Sequence, residues 1–143
     1  MTENDYLLDL LQADLQNERK HMMFYLQASS VVEGLHREEY REFFTKEAQS
    51  EMVHVQQFAD AICYLGGFPN ALITEGWQTL PDSPKNLLKI AMTFEQEVAQ
   101  NYTRRLQQTE GMSTPQEAWV HLFYEDQLQD SWKAAREIEW MLK

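Results

Sequence analysis

The stretch Glu51-Met52-Val53-His54 places a carboxylate and an imidazole three residues apart within an apolar helical pattern. Residues three apart lie on the same face of an α-helix, so the two side chains can bind one metal ion. Phe44, Glu47, Phe58 and Leu65 continue the same face along the helix. Because an unpaired buried carboxylate costs too much free energy, acids on such a face indicate a shared cation.

The same Glu-x-x-His spacing occurs twice more, as Glu18-Arg19-Lys20-His21 and Glu33-Gly34-Leu35-His36. The second of these spans a glycine turn, and we interpret it as accidental. The first is ambiguous, because His21 lies at the edge of the face that carries Glu18, so contact with a metal and plain packing both stay open. For His54 the alternative to a metal ligand is a buried histidine satisfied by a neighbouring carboxylate.

Helical periodicity dominates the chain, and the alternating pattern of strands is absent. Glycines and prolines gather between the periodic segments, where N-cap residues mark two helix starts. The predicted helices run from about Asn4 to Val32, from about Arg37 to Leu65, from Pro84 (after the N-cap Ser83) to about Gln108, and from the capping box Thr114 to Glu117 to the end of the chain.

The connection from Gly66 to Pro84 is long for a loop in a small domain. Antiparallel neighbours need only a short link, so we expect this segment to cross the length of a bundle and to make helices 2 and 3 parallel. The sequence therefore predicts an all-α single domain over residues 1–143, a four-helix bundle of ferritin-like topology with one long crossover between helices 2 and 3.

Two further acids lie at the centre of buried faces. Glu18 is predicted to be buried with residues at three- and four-residue spacing along helix 1, namely Leu7, Leu11, Asp14, Met22, Tyr25 and Ser29. In helix 3, Glu95 has Ala91, Val98 and Tyr102 around it, whereas Glu97 has polar neighbours. We predict that Glu18 and Glu95 face inward.

Helix 4 leaves two registers open. The face with Trp119, Phe123, Ala134 and Met141 is the more apolar and carries Gln127 and Asp130, which we favour as ligands. The alternative register turns Asp126 and Gln129 inward instead.

Composition limits the partners and the compartment. The chain has 143 residues and a formal net charge of −11, which argues against nucleic acid or an anionic membrane as a partner and favours cations. Cys63 is the single cysteine, and no apolar run has the length of a membrane span. We expect a cytoplasmic protein.

Several of these features resemble ferritins and bacterioferritins. They are Glu18 with Tyr25 seven residues later, Glu51-Met52-Val53-His54, and Tyr64-Leu65-Gly66-Gly67-Phe68-Pro69. The resemblance extends through Glu95 to helix 4. It implies a subunit that binds two irons, oxidises ferrous iron with dioxygen or peroxide, and stores the product.

The resemblance also implies roles for single residues. Glu18 and His54 would bind one iron, Glu51 would bridge both, and Glu95 would hold the second. Tyr25 would hydrogen-bond a site carboxylate or pass an electron to iron, with core packing as the alternative. Iron is the expected metal, with manganese or zinc as alternatives, since carboxylates and one imidazole are hard ligands.

This chain departs from bacterioferritins in helix 4, which lacks a second Glu-x-x-His. Gln127 and Asp130 instead resemble the glutamine and carboxylate of non-haem bacterial ferritins. Met52 resembles the haem-ligating methionine of bacterioferritins, but we interpret it as packing at a dimer interface rather than as a haem ligand. Helix 4 is not followed by the family's short fifth helix, so we expect a homodimer as the basic unit of any higher homo-oligomer.

Two other functions stay open at this point. One is a di-metal oxidase or hydroxylase of an organic substrate, with Phe68 and Trp77 lining an apolar channel. The other is a non-catalytic interaction module that kept the fold.

Overall fold

The computed structural model describes residues 1–71, 75–111 and 113–143. These residues form four α-helices and no strand: α1 Glu3–Val31, α2 Arg37–Tyr64, α3 Pro84–Gln108 and α4 Pro115–Leu142. Each predicted helix is confirmed to within about one residue at either end. Among the described residues, no helix combines the length and the apolar character that crossing a lipid bilayer requires.

Side-chain caps begin three of the helices. At α1 the Asp5 backbone N–H donates to Thr2 Oγ1 at 3.1 Å and the Thr2 N–H donates back to Asp5 Oδ2 at 3.0 Å, a reciprocal capping box. At α3 the Asn86 N–H donates to Ser83 Oγ at 3.3 Å, which confirms the predicted N-cap. These bonds satisfy N–H groups that have no partner inside the helix.

The predicted capping box of α4 is also present. The Glu117 N–H donates to Thr114 Oγ1 at 3.3 Å, and Pro115 occupies the first turn. The Glu117 carboxylate accepts from the Ser113 N–H at 3.1 Å, so the capping box extends one residue before Thr114.

The turn from α1 to α2 depends on an arginine. Gly34 has φ +102° and His36 has φ +67°, so the chain passes twice through the left-handed region before α2 begins. Arg37 then donates from Nε to the Val32 carbonyl at 2.8 Å and from Nη2 to the Ser30 carbonyl at 3.3 Å. The guanidinium thereby satisfies carbonyls at the end of α1.

The chain divides into two compact units, residues 8–87 and residues 1–7 together with 88–143. The first contains most of α1, all of α2 and the connection that follows, with a core that includes Phe24, Phe44, Phe58 and Ile62. The second contains most of α3 and all of α4, with Phe94, Val98, Tyr102, Tyr124 and Ile138 buried. The single domain over residues 1–143 stays a prediction.

The start of the connection after α2 is held against α1. A Cβ added to Gly67 would lie 2.7 Å from Leu8 Cδ2, so a larger residue here would require the Leu8 side chain to shift. Gln12 donates to the Phe68 carbonyl at 2.7 Å and accepts from the Asn70 N–H at 2.9 Å. The central part of the predicted crossover, residues 72–74, lies outside the described residues.

Candidate metal centre

Helices α1 and α2 bring Glu18, Glu51 and His54 together. All three side chains are buried, and each offers one ligand atom within 4.8 Å of the other two. His54 Nδ1 lies 3.6 Å from Glu18 Oε2 and 3.6 Å from Glu51 Oε2. These separations are longer than a normal hydrogen bond, and they suit three donors arranged around one cation. The predicted Glu-x-x-His pair therefore meets the predicted acid of α1.

The local sequence explains why the three side chains converge. Glu51 and His54 are one turn apart on the buried face of α2, with Phe44 and Phe58 buried on the same face. Glu18 lies on the buried face of α1 with Leu11 and Tyr25, as the spacing predicts. Each ligand is flanked by fully buried apolar residues along its own helix, and these residues fix the face that turns inward.

The electrostatics favour an ionised Glu18. Burial, the largest single effect, raises the pKa of its carboxyl, but the neighbouring polar groups of Glu51 and His54 and the charges of His54 and His21 together lower the pKa to about 2. Glu18 is therefore a carboxylate at neutral pH. A buried carboxylate beside a second carboxyl and an imidazole is a donor set that fits a divalent cation with hard or borderline character.

His21 is buried one turn beyond Glu18, but it is not one of the three clustered ligands. Burial lowers the pKa of its imidazole to about 4, although the Glu18 charge partly opposes the shift. Trp77 lies over this region, with its ring 6.5 Å from the His21 ring and 4.9 Å from the Phe24 ring. The periodic pattern gave no signal for this contact, because Trp77 belongs to the irregular connection.

The second unit also carries buried polar side chains at predicted positions. Glu95 of α3 is buried between Ala91 and Val98, whereas Glu97 is exposed, as the helical pattern predicts. In α4 the Gln127 side chain is buried as well. The candidate ligands of this unit are thus one carboxylate and one amide.

The prediction that Asp130 faces inward is wrong. The buried face of α4 is Val120, Tyr124, Gln127, Ser131, Ala135 and Ile138. At 3.6 residues per turn, Asp130 lies about 100° from the centre of that face, and its side chain is exposed. Asp126 and Gln129 of the alternative register are exposed too. Gln127 lies at one edge of the buried face, which is why its neighbour three residues on falls outside it.

Large aromatic residues caused this error. Trp119 and Phe123 suggested a core face, but Trp119 is 41% exposed and Phe123 is half-buried, and the two rings stack on each other at 5.7 Å. Glu117 is a buried carboxylate that the sequence indicated only as a cap. Asp14, also fully buried, lies one turn before Glu18 on the predicted face of α1.

Tyr25 and Met52 occupy opposite kinds of environment. Tyr25 is fully buried, with its ring 5.4 Å from Phe24 and 6.4 Å from Phe44. Met52 is 58% exposed, and its neighbour Val53 is exposed as well. Tyr25 therefore contacts the core of its unit, whereas Met52 belongs to an apolar surface of α2.

Comparisons with known proteins agree with this architecture. A model of the ferritin-like domain matches residues 8–143. A ferritin-like, diiron-carboxylate protein from Bacillus anthracis shares 24% identity with a TM-score of 0.86, and the match covers 100% of both chains. The bacterioferritin BfrA of Mycobacterium tuberculosis shares 17% identity with a TM-score of 0.83, over 99% of this chain and 87% of its own.

A dodecameric thioferritin from Bacteroides fragilis shares 22% identity with a TM-score of 0.68, over 98% of this chain and 90% of its own. No curated protein matches the sequence. At these identities the solved structures establish the fold, an all-α ferritin-like four-helix bundle. Because the family model covers nearly the whole chain, the protein belongs to the ferritin-like family.

Proposed function

We propose that this protein binds ferrous iron and oxidises it to ferric iron at a carboxylate-bridged di-iron site, for iron storage or detoxification. The observation that carries the proposal is the buried cluster of Glu18, Glu51 and His54, with ligand atoms within 4.8 Å of one another. Two carboxylates and one imidazole suit iron and manganese, and they also bind zinc.

The three clustered side chains have distinct proposed roles. Glu18 and His54 hold the first ferrous ion, and Glu51, one turn from His54 on α2, bridges to the second. The low pKa of Glu18 means that metal binding there does not have to displace a proton at neutral pH. This arrangement explains why a carboxylate is tolerated in a buried position.

For the second ferrous ion we propose Glu95 and Gln127 as further ligands. Both are buried polar side chains, and they occupy the positions that the family resemblance assigns to the second metal. Asp130 is exposed and is not retained as an inward ligand. An amide oxygen is a weaker ligand than a carboxylate, so we expect the second ion to bind less tightly than the first.

The proposed reaction balances with two ferrous ions and one dioxygen. Each ferrous ion loses one electron, and dioxygen takes up both electrons and two protons to give hydrogen peroxide. The buried ligands orient the two ferrous ions and exclude bulk water from them. We propose that Tyr25, fully buried seven residues after Glu18, donates a hydrogen bond to a site carboxylate.

Anaerobic titration with ferrous iron, followed by admission of oxygen, tests this function. The wild-type protein should bind ferrous iron in two unequal steps. After oxygen is admitted, iron should be oxidised faster than in buffer without protein. Glu51→Ala should abolish both, because it removes the bridging carboxylate. Glu97→Ala, an exposed glutamate on α3, is the matched control and should behave as wild type.

Other outcomes of that titration assign the protein elsewhere. Two tightly bound metals with no turnover of excess ferrous iron would favour an oxidase or hydroxylase of an organic substrate. Failure of the wild type to bind metal would favour a non-catalytic interaction module. If Glu51→Ala bound two metals as tightly as the wild type, the assignment of the site would be wrong.

We also propose that the basic unit is a homodimer that uses the apolar surface around Met52, within a cytoplasmic homo-oligomer. Met23 and Leu26 of α1 and Met52 and Val53 of α2 are all exposed. Exposed clusters of large apolar residues mark contact sites more often than solvated surface. The free, exposed Cys63 suits a reducing compartment. Met52→Glu should lower the mass measured by light scattering.

A further inference from the structure

A second histidine–carboxylate pair lies near the beginning of α4. His121 Nε2 is 3.5 Å from Glu125 Oε1, and the two residues are four apart on one side of the helix. The side chains are 26% and 46% exposed, so the pair is half-buried. Gln127, the ligand proposed from α4, lies about 9 Å from His121 along the helix axis and about 120° around it. The pair is therefore separate from the candidate metal centre.

A buried hydroxyl orients the His121 ring. Thr109, directly after α3, is 2% exposed, and its Oγ1 lies 2.8 Å from His121 Nδ1. The same hydroxyl donates its single hydrogen to the Arg105 carbonyl at 2.8 Å. Only lone pairs of Thr109 Oγ1 remain for the ring, so we assign the ring hydrogen to Nδ1, which donates to that oxygen. In the neutral ring, Nε2 is then an acceptor.

The distance between His121 and Glu125 agrees with this tautomer. An Nε2–H donor would approach the carboxylate to about 2.7 to 3.2 Å, whereas the observed separation is 3.5 Å. Two acceptors that face each other repel unless a cation lies between them. A zinc ion about 2.0 to 2.1 Å from both atoms would bind them at an angle of roughly 115 to 120°, which is near tetrahedral geometry.

We propose that His121 and Glu125 bind a divalent transition-metal cation, at a site additional to the candidate metal centre. An imidazole with one carboxylate suits zinc or ferrous iron better than calcium or magnesium, which take oxygen ligands. A histidine that binds metal usually donates its other ring N–H to a neighbouring polar group, and here Thr109 accepts it. The net charge of −11 adds a general attraction for cations.

The proposed site has two protein ligands. Among the residues that the structure describes, no third His, Cys, Asp or Glu joins this pair in a compact group of ligand atoms. Glu117, one turn before His121, is used as a cap, because its carboxylate accepts from the Ser113 N–H at 3.1 Å. The remaining coordination positions are open to water, since the pair is half-exposed. We therefore expect weaker and more readily exchanging binding than at three buried ligands.

The chain contains its own control for this site. His36 Nδ1 lies 3.7 Å from Glu39 Oε1, so the same two residue types are again one turn apart. These side chains are 65% and 71% exposed, and solvent competes for both of them. If any histidine beside a glutamate bound zinc equally well, the two pairs would behave alike. The buried Thr109 hydroxyl is what should favour His121.

Nuclear magnetic resonance of ¹⁵N-labelled imidazoles tests the proposal with zinc as the probe. The chain has four histidines, and their resonances can be assigned with single His→Gln variants. Metal-free protein at mildly alkaline pH should carry the His121 hydrogen on Nδ1. Added zinc should shift the Nε2 resonance of His121 at lower concentrations than those that affect His36. The His54 resonance reports on the candidate metal centre, so failure of the proposed function and failure of this site are distinguishable.

Variants separate a metal site from a purely structural hydrogen bond. Thr109→Val should raise the zinc concentration needed to shift His121 by about 10- to 100-fold, as expected for loss of the group that orients a ligand. Thr109→Ser keeps the hydroxyl and should bind as wild type does. Glu125→Gln should weaken binding at least about 10-fold, because an amide is a poorer ligand than a carboxylate. Glu39→Gln is the matched control and should leave the His121 response unchanged.

Three results would overturn the proposal. One is a His121 resonance that does not respond to zinc before His36 does. Another is a ring hydrogen on Nε2 in the metal-free protein, which would make the pair an ordinary hydrogen bond. The third is unchanged zinc binding at His121 in Thr109→Val and Glu125→Gln, with the wild-type fold retained.

Discussion

Helices α2 and α4 have the same length, 28 residues, and both carry several acids near their middle, yet only α2 turns an acid into the interior there. In α2 the buried face includes Glu51 and His54. In α4 the face at the same level includes Gln127 and Ser131, while Asp126 and Asp130 point to solvent. The number of acids in a helix therefore says little about metal binding, and their angular position on the helix decides it.

The largest expected effect is the loss of metal-induced stabilisation, which should follow a substitution in α2 but not one in α4. Zinc at about a thousand times its dissociation constant should stabilise the wild-type protein by about 4 kcal/mol, because it binds only the folded state. His54→Ala should abolish this gain, whereas Asp130→Ala should retain it. Differential scanning calorimetry with and without zinc measures both. Equal zinc stabilisation in the two variants would contradict the claim that α2 supplies a metal ligand and Asp130 of α4 does not.

The comparison also shows which parts of the site the sequence could predict. Glu18, Glu51, His54 and Glu95 were placed correctly on buried faces, because each sits among apolar residues at three- and four-residue spacing. Asp130 was misplaced because Trp119 looked like a core residue. A tryptophan on a surface and a tryptophan in a core give the same signal in one sequence.

The fold was more predictable than the site for a physical reason. Helix ends depend on local capping residues such as Ser83 and Thr114, whose hydrogen bonds form within a few residues along the chain. The packing of Trp77 over His21 joins residues 56 positions apart and involves no periodic pattern. Contacts of that kind are determined by tertiary structure alone.

A second prediction concerns pH and sharpens the description of the α1–α2 unit. The pKa of His21 is about 4 in the folded protein and 6.5 in the unfolded chain, so the unfolded state binds more protons between these values. The contribution of His21 to stability is complete above pH 6.5 and is lost as the pH falls toward 4, by roughly 3 kcal/mol at most. Chemical denaturation of metal-free protein across this range measures the slope.

His21→Leu should flatten that slope between pH 4 and 6.5. Glu18 does not interfere above pH 4.5, because its depressed pKa of about 2 confines its own loss of stability to the range below its ordinary value of 4.5. His36→Leu is the matched control, since His36 is exposed. An unchanged slope in His21→Leu would show that burial does not hold this imidazole neutral.

A third prediction tests the register of α4 with one substitution at adjacent positions. Ser131→Leu should destabilise the protein by about 1 to 3 kcal/mol, because it adds volume to a buried position. Asp130→Leu should change stability by no more than about 0.5 kcal/mol, because its side chain is exposed. Urea denaturation compares the two. A larger loss of stability in Asp130→Leu than in Ser131→Leu would support the register in which Asp130 faces inward.

The smallest expected effect concerns how the two helices begin. Thr114 caps α4 with its hydroxyl, but His36, at the N-cap of α2, makes no side-chain cap and has φ +67°. A left-handed conformation costs a non-glycine residue about 1 to 2 kcal/mol, and glycine adopts it freely but loses more backbone entropy on folding. His36→Gly should therefore stabilise the protein by about 0.5 to 1 kcal/mol. The ion pair that His36 gives up, 3.7 Å from Glu39, is exposed and contributes little.

Thr114→Gly supplies the contrast, since it removes a side-chain cap and should leave stability unchanged or slightly lower. A thermal melt in which His36→Gly lowers the melting temperature would mean that His36 stabilises the turn through its side chain rather than straining it.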